Sequence, residues 1–292
     1  ECPVLDARLE KLVFGISSLI KLHIKSNKIN SSTYLSIRHI SFRISSSSDE
    51  ALVCFISSKD ITSGLKLLSE SICKHFSYVV GISNNIQPAN NNVIFGQSTL
   101  TVWGRDFIHQ RFCGLDLNLN STSFFQVNIP LAEMLVQKII DIVRDSSYPL
   151  VIDAFSGIGT ISLPLSSSGI NVIGLEKDRV SVKLANIARE IHHLYKLRFF
   201  KTDVYLNLQT FISSDSCLIL DPPRKGLDTI LVKKITKIMP KSIIYQSCNP
   251  SSLARDLKLL MSHGYNLQEI SLYDFFPQTT HLESLVYLTR TI

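Results

Sequence analysis

The 292-residue sequence lacks the features of a membrane or secreted protein. No apolar run approaches the roughly 18 residues that span a bilayer. The apolar run 12–20 follows mixed charges without the layout of a secretory signal, so we expect a packed helix there. Charged residues make up only 18% of the chain and hydrophobic residues 45%, which excludes global disorder. These values predict a well-buried globular protein without membrane association.

Closely spaced cysteine pairs are also missing. The six cysteines lie far apart, and no two of them form a Cys-x-x-Cys pair. This spacing suggests neither a zinc site nor a disulfide framework, and it favours a reducing, cytoplasmic compartment. The formal net charge of +6 suits a nucleic-acid partner, although many enzymes with neutral substrates are equally basic. We expect the protein to be a cytoplasmic monomer.

The pattern of apolar residues changes near residue 120. Residues 1–120 mix helical periodicity with strand-like alternation and predict a smaller α+β domain. In residues 121–292, strands and helices alternate strictly, which predicts a mostly parallel sheet covered on both faces. No helix separates the last two predicted strands, 268–273 and 284–289, so we expect an antiparallel hairpin at one edge.

Residues 151–159 predict a strand, a glycine turn and the start of a helix. Glu176, 17 residues beyond Gly159, closes the next predicted strand and is placed to accept both hydroxyls of a ribose. The turn lacks the third glycine of a dinucleotide fingerprint. Asp153 would repel a pyrophosphate but would suit a cationic methionine group. The layout therefore favours S-adenosylmethionine over a dinucleotide.

Three further predicted strand ends contain reactive or polar groups. Asp203 closes the third strand, within reach of an adenine amino group. Asp221 closes the fourth, and the rigid loop Pro222-Pro223-Arg224-Lys225 follows it beside the position of a transferable methyl group. Cys248 lies between a strand and a helix, at the edge where α/β proteins bind ligands. By position alone, this cysteine is equally well explained as a small buried hydrophobe.

Taken together, these segments resemble the RNA uracil-C5 methyltransferases, which make 5-methyluridine in tRNA or 23S ribosomal RNA. The resemblance implies a Rossmann-like class I methyltransferase domain with a seven-stranded sheet over residues 121–292. Residues 1–120 resemble, more weakly, the central domain that precedes it in the family and could contact RNA. The motifs occur in the family's order: Phe124-Phe125-Gln126-x-Asn128, Asp153-x-Phe155-x-Gly157-x-Gly159, Asp221-Pro222-Pro223-Arg224-x-Gly226, Ser247-Cys248-Asn249-Pro250 with Leu253-Ala254-Arg255-Asp256, and Phe276-Pro277-x-Thr279-x-His281-x-Glu283-Ser284.

The resemblance implies that Cys248 is the nucleophile and Glu283 the general base. Addition of a thiolate to C6 of uracil would activate C5 for methylation, and the base would then remove the C5 proton. Phe155 stands where many members of the family have tyrosine, and Ser156 replaces a frequent cysteine. The implied contacts of S-adenosylmethionine are Gln126, Phe155, Gly157, Glu176, Asp203 and Asp221.

The target uracil must leave its stack, so aromatic partners are expected near the nucleophile. Phe125, Phe275 and Phe276 are candidates, and core packing explains each of them equally well. Arg224, Lys225 and Arg255 are candidates for binding phosphate or for holding the thiolate, and the sequence does not distinguish these roles.

Many ribosomal-RNA members of the family also hold an iron–sulfur cluster through four cysteines. Cys2-Pro3 resembles the last of these ligands, and the others would lie before Glu1. Because one thiolate does not hold a cluster that needs four, we expect no metal here, and a 4Fe-4S cluster only in a longer protein. The start at Glu1 rather than methionine suggests a fragment. Cys2-Pro3 favours 23S ribosomal RNA over tRNA as the substrate.

Other functions stay open on the sequence alone. A non-catalytic RNA-binding or assembly factor with a methyltransferase fold would be expected to have degenerate motifs, whereas nucleophile, base and cofactor acids are all present here. A cytosine-C5 methyltransferase would typically have proline before its cysteine, where this chain has Ser247. The glycine pattern disfavours an NAD-dependent dehydrogenase.

Overall fold

The computed structural model describes residues 6–27 and 30–291, so Cys2 lies outside the described residues. The chain divides into two compact units. One comprises the chain up to residue 111 together with 116–122, and the other comprises 112–115 together with the chain from 123 onward. In the described part of the chain, no helix has both the length and the apolar character needed to cross a bilayer.

The first unit is an α+β assembly whose sheet is followed by a hairpin. Its elements are α1 (Ala7–Lys25), α2 (Ser31–Ser36), β1 (Ile37–Ile44), β2 (Ala51–Ser57), α3 (Lys66–His75), β3 (Val79–Ile86) and β4 (Ser98–Gly104), then most of the hairpin strands β5 (Phe107–Phe112) and β6 (Leu115–Asn120). Residues 112–115, which include the turn of this hairpin, belong to the second unit. The four-stranded sheet has the order β1-β2-β3-β4. β2 and β3 are parallel, and the other neighbours are antiparallel. All seven residues of β2 are buried, because the strand is central in the sheet.

The second unit is an α/β domain built on a seven-stranded sheet. Its elements are α4 (Ile129–Ser146), β7 (Val151–Ala154), α5 (Ser162–Ser167), β8 (Val172–Glu176), α6 (Arg179–Ile191), β9 (Leu197–Lys201), α7 (Val204–Asn207), β10 (Cys217–Leu220), α8 (Thr229–Ile238), β11 (Ser242–Ser247), α9 (Pro250–Ser262), β12 (Tyr265–Tyr273) and β13 (Glu283–Arg290). The strand order is β12-β13-β11-β10-β7-β8-β9. β13 is antiparallel to both neighbours, and the pairs from β11 to β9 are parallel. The predicted fold class is confirmed, and so is the terminal hairpin.

Helix-start signals place two segments of this domain. Asn128 caps α4 with its side chain, and Pro130 occupies the first turn, where its missing N–H has no consequence. Asn249 caps α9 in the same way, with Pro250 as the first helical residue. β10 and β11 are buried throughout, as expected for central parallel strands. A buried strand followed by a capped helix therefore fixes Cys248 at the carboxyl edge of the sheet.

Two of the differences between the structure and the sequence pattern concern turns. α5 begins at Ser162 and not within residues 151–159 as predicted, because Gly157 and Gly159 have φ of 55° and 90° and so leave the helical region. The β5–β6 hairpin was not predicted. Its turn contains Cys113 and Gly114 at φ of 49° and 77°, a turn for which the sequence supplies only one glycine.

Candidate active site

A cavity of about 500 Å³ opens in the second unit, beside the carboxyl ends of its parallel strands. This edge is where open α/β sheets bind ligands, at the point where the strand order reverses between β7 and β10. The cavity brings together all eight residues that the sequence predicts for the site. They are Gln126, Phe155, Gly157, Glu176, Asp203, Asp221, Cys248 and Glu283.

The turn after β7 is strained and open towards the cavity. Phe155 has φ of 69°, a left-handed conformation that is costly for an aromatic residue and that occurs mainly at functional sites. A Cβ added to Gly157 would meet nothing within 4 Å, so space remains above this backbone for a ligand. Glu176 supports the turn, since its Oε2 accepts from the Gly157 N–H at 3.1 Å and its Oε1 from the Asp178 N–H at 2.7 Å.

Asp203 lies where β9 gives way to α7. Its Oδ1 accepts from the Tyr205 N–H at 2.9 Å, which caps this short helix. The ring of Tyr205 packs edge-on against Phe155 at 5.5 Å, and Lys225 Nζ lies 5.0 Å from its centre. Tyr205 thus forms an aromatic wall of the cavity. Sequence reasoning missed it, because a tyrosine after a strand end has no local signature.

Cys248 and Glu283 meet at the end of the β11–β13 pair. The antiparallel register pairs Ser247 at the end of β11 with Ser284 on β13. The next residue after β11, Cys248, therefore lies beside Glu283, the first residue of β13. The thiol is half-buried, and the glutamate is only 7% exposed. Both line the cavity, as Arg224 and His281 do.

Acidic groups dominate the electrostatics around Cys248 and Glu283. Burial raises the pKa of the Cys248 thiol, and the charges of Glu283 and Asp221 raise it further, whereas Arg224 lowers it. Burial also raises the pKa of Glu283, against a hydrogen bond from Gln246 and the charge of Arg224. The pKa of Asp221 is raised to about 8 by burial and by neighbouring Glu283 and Asp153. A bound cation would therefore be stabilised here, and it would favour the thiolate.

The Pro-Pro loop is fastened to the turn that presents Cys248. The carbonyl of Arg224 accepts from Asn249 Nδ2 at 3.0 Å and from Ser252 Oγ at 3.1 Å. Gly226 has φ of 74°, and a Cβ there would collide with the carboxylate of Asp256. This contact explains the glycine of the motif, and the hydrogen bonds place Arg224 beside the thiol.

The fully buried carboxylate of Asp256 is the centre of a hydrogen-bond network below the Pro-Pro loop. Its Oδ2 accepts from the Tyr245 hydroxyl at 2.7 Å and from the Leu227 N–H at 2.8 Å, and its Oδ1 from Arg255 Nε at 2.9 Å. Arg255 Nη2 also donates to the Lys225 carbonyl at 2.8 Å. The guanidinium of Arg255 therefore makes hydrogen bonds within the protein, in place of the predicted roles of binding phosphate or holding the thiolate.

We expect Asp256→Asn to lower the free energy of unfolding by about 2–4 kcal/mol, because an amide N–H would face donors in a buried site. Tyr245→Phe removes only one of the hydrogen bonds and should cost about 1 kcal/mol. Urea denaturation of both variants measures the difference. Equal and small losses would show that the Asp256 network contributes little.

Several other candidates take different positions from those the sequence suggests. Asp153 is 1% exposed and does not line the cavity; Ser162 Oγ donates to its Oδ2, and burial raises its pKa to about 7. The prediction that Asp153 faces a cationic methionine group directly is therefore wrong. Phe125 and Phe275 belong to the core, at 9% and 3% exposure. Phe276 lines the cavity.

The sequence missed a second aromatic residue at the cavity. Phe124 is 76% exposed and lines the same cavity as Phe276. Its position in the Phe-Phe-Gln motif was a usable signal, because one of two adjacent residues ordinarily points away from the core. Among residues 6–27 and 30–291, no group of three or more histidine, cysteine or acidic side chains is arranged to hold a metal ion.

The strand order, the antiparallel β13 and the acid-lined cavity above a glycine turn define an S-adenosylmethionine-dependent methyltransferase of class I. The crystal structure of Pyrococcus abyssi tRNA (uracil-54, C5)-methyltransferase in complex with S-adenosyl-L-homocysteine is similar over 99% of this chain and 69% of that chain. Its TM-score is 0.77 at 26% sequence identity. The Trm5b structure from the same organism covers 82% of this chain and 73% of its own, with a TM-score of 0.53 at 10% identity, and shows the fold alone.

Sequence comparison identifies the family more closely. A family model described as tRNA (uracil-5-)-methyltransferase matches residues 190–291. A relative from Prochlorococcus marinus, described as an uncharacterized RNA methyltransferase, is 44% identical over 99% of this chain and 70% of its own length. A relative from Parasynechococcus marenigrum with the same description is 36% identical over 99% of this chain, which spans 63% of that protein. The chain belongs to the RNA uracil-C5 methyltransferase family, whose members depend on S-adenosylmethionine.

Proposed function

We propose that this protein transfers a methyl group from S-adenosylmethionine to C5 of a uridine in RNA, through a covalent bond between Cys248 and C6 of the uracil. The observation that supports this most directly is the position of Cys248. The thiol lies opposite the buried carboxylate of Glu283, in a cavity whose other end has the acids of a cofactor site. A non-catalytic RNA-binding factor would have no use for this pair.

The residues at the glycine-turn end fit S-adenosylmethionine. Each oxygen of Glu176 accepts one backbone N–H and has lone pairs left for the ribose hydroxyls. We assign Asp203, which lines the cavity, to the adenine amino group, and Phe155 with Tyr205 to its apolar walls. When bound, the cofactor supplies an electrophilic methyl group on a positively charged sulfur.

The residues at the other end suit attack on a pyrimidine ring. The Cys248 thiolate adds to C6 of uracil, which makes C5 nucleophilic. After C5 is methylated, Glu283 takes the C5 proton, the C5–C6 double bond re-forms and the thiolate leaves. Asp221 and Gln126 also line this cavity. Arg224 lowers the pKa of the thiol and so favours the attacking form.

The target base must enter the cavity out of its stack. Phe124 and Phe276, both exposed and on the cavity lining, are placed to stack on an extruded base or its neighbour. Buried Phe125 and Phe275 are excluded from this role by their packing.

Two RNA substrates fit this chemistry. The resemblance of Cys2-Pro3 to an iron–sulfur ligand favours 23S ribosomal RNA, whereas the family description and the Pyrococcus abyssi structure favour tRNA. We propose 23S ribosomal RNA as the first substrate to test, with tRNA as the alternative.

The experiment compares RNA from cells with and without the full-length protein. We expect one 5-methyluridine to disappear from either 23S ribosomal RNA or tRNA, as mapped by mass spectrometry of nuclease fragments. The purified protein should restore it to unmodified RNA in the presence of S-adenosylmethionine. Unchanged 5-methyluridine in both RNAs, with no restoration in vitro, would contradict the proposed function.

A further inference from the structure

Gln246 is a buried polar side chain for which the reaction so far has no use. It lies on β11 and is 4% exposed, next to the apolar residues Ile243 to Tyr245 of the same strand. Its side chain lines the main cavity and also a smaller void of about 20 Å³ that Asp221 and Gln126 share. Because burying an amide without a hydrogen-bond partner is costly, its contacts should indicate what it does.

The sheet register brings Gln246 close to both carboxylates of the reaction site. Side chains alternate along a strand, so Gln246 and Cys248 lie on the same face of the sheet. β13 pairs Leu285 with Gln246, which makes Glu283 the diagonal neighbour, within reach of a long side chain. On the other side, β10 pairs Leu220 with Tyr245, so Asp221 follows beside Gln246.

Gln246 and Glu283 line the same cavity, and the side-chain amide of Gln246, as a hydrogen-bond donor, lowers the pKa of Glu283. An amide is suited to this position because it is a donor without charge. A lysine here would form an ion pair that weakens the base, and an apolar residue would leave the carboxylate without this donor.

We propose that Gln246 is a positioning residue for the base: its amide orients the Glu283 carboxylate towards the cavity, beside Asp221. This proposal deepens the proposed function and rests on the assignment of Glu283 as the base. Gln246 itself need not touch the substrate.

The charges around Glu283 show why such a donor is needed. Asp221 at the end of β10 and the thiol of Cys248 at the end of β11 face it, and Arg224 faces it from the Pro-Pro loop. His281 lines the same cavity, as Asp203 and Glu176 do farther along. Burial raises the pKa of Glu283, whereas the Gln246 amide, as a donor, and the charge of Arg224 lower it. Loss of the amide should therefore raise the pKa of Glu283 further. As the pH falls, Glu283 would then become protonated, and so inactive as a base, at a higher pH than in the wild type.

The test is a titration of the Glu283 carboxyl group by NMR in full-length protein labelled with ¹³C-glutamate, with Glu283→Gln used to assign its resonance. In Gln246→Leu we expect the midpoint to lie about one pH unit higher than in the wild type. Gln246→Glu replaces the donor with a second carboxylate of the same shape and should raise the midpoint at least as far. The matched control is Gln268→Leu on β12, which loses an exposed hydrogen bond to Thr289 outside the cavity.

A kinetic measurement complements the titration. The acid limb of the rate of tritium release from [5-³H]uridine RNA should move upward with the Gln246→Leu midpoint, while binding of S-adenosyl-L-homocysteine changes by less than about twofold. An unchanged Glu283 midpoint in both Gln246 variants would overturn the proposal. Because the titration needs no turnover, it decides the role of Gln246 even if methylation of uridine is disproved.

Discussion

Cys248→Ala is expected to abolish both methyl transfer and covalent capture of RNA, with turnover falling by roughly four or more orders of magnitude. Without addition to C6, C5 of uracil is a poor nucleophile, and the cofactor alone does not methylate it. In the described part of the chain, Cys248 is the cysteine on the cavity lining, so no other thiol is placed to substitute for it. Tritium release from [5-³H]uridine RNA measures turnover, and denaturing gels with 5-fluorouridine RNA measure capture.

The matched control for Cys248 is Cys113→Ala. Cys113 is also half-buried, and burial raises its pKa, but it lies in the β5–β6 turn and does not line the cavity. Its replacement should leave turnover within about twofold. Retention of more than a few per cent of turnover by Cys248→Ala would exclude the covalent mechanism and leave direct methylation of an unactivated ring to be explained.

The location of the site was predictable because it depends on local patterns. A buried strand, a glycine turn and an acid at the next strand end determine where Gly157 and Glu176 lie, whatever the rest of the chain does. The same holds for Cys248, which is held between a buried strand and a helix capped by Asn249. Since the carboxyl ends of parallel strands share one edge, these short segments meet in a single cavity.

The parts that sequence reasoning missed depend on tertiary packing. The position of Asp153 predicts a contact with a cationic ligand, but Asp153 does not line the cavity, and its carboxylate accepts a hydrogen bond from Ser162. Whether Phe124 or Phe125 faces the cavity is decided by packing, since Phe125 contacts Phe112 edge-on at 5.4 Å. Gln246 gains its role only through the register with β13, which brings residues almost forty positions apart side by side. Sequence spacing holds no information about that register.

Glu283→Gln is expected to slow turnover by about 10²–10⁴-fold and to accumulate a methylated protein–RNA adduct. The amide keeps the shape of the side chain but has no lone pair basic enough to take the C5 proton, so the thiolate is not released. The adduct should appear on denaturing gels with ordinary RNA, and it should need Cys248 to form.

Glu269→Gln on β12 is the matched control: Glu269 pairs with Lys138 on the surface, at 2.7 Å, and its replacement should leave turnover unchanged. Because burial raises the pKa of Glu283, wild-type adduct breakdown should slow as the pH falls through that pKa, whereas breakdown in Glu283→Gln should be slow at every pH. Rapid turnover by Glu283→Gln without any adduct would assign the proton transfer to another group, and Asp221, a carboxyl group that interacts electrostatically with Glu283, is the first to test.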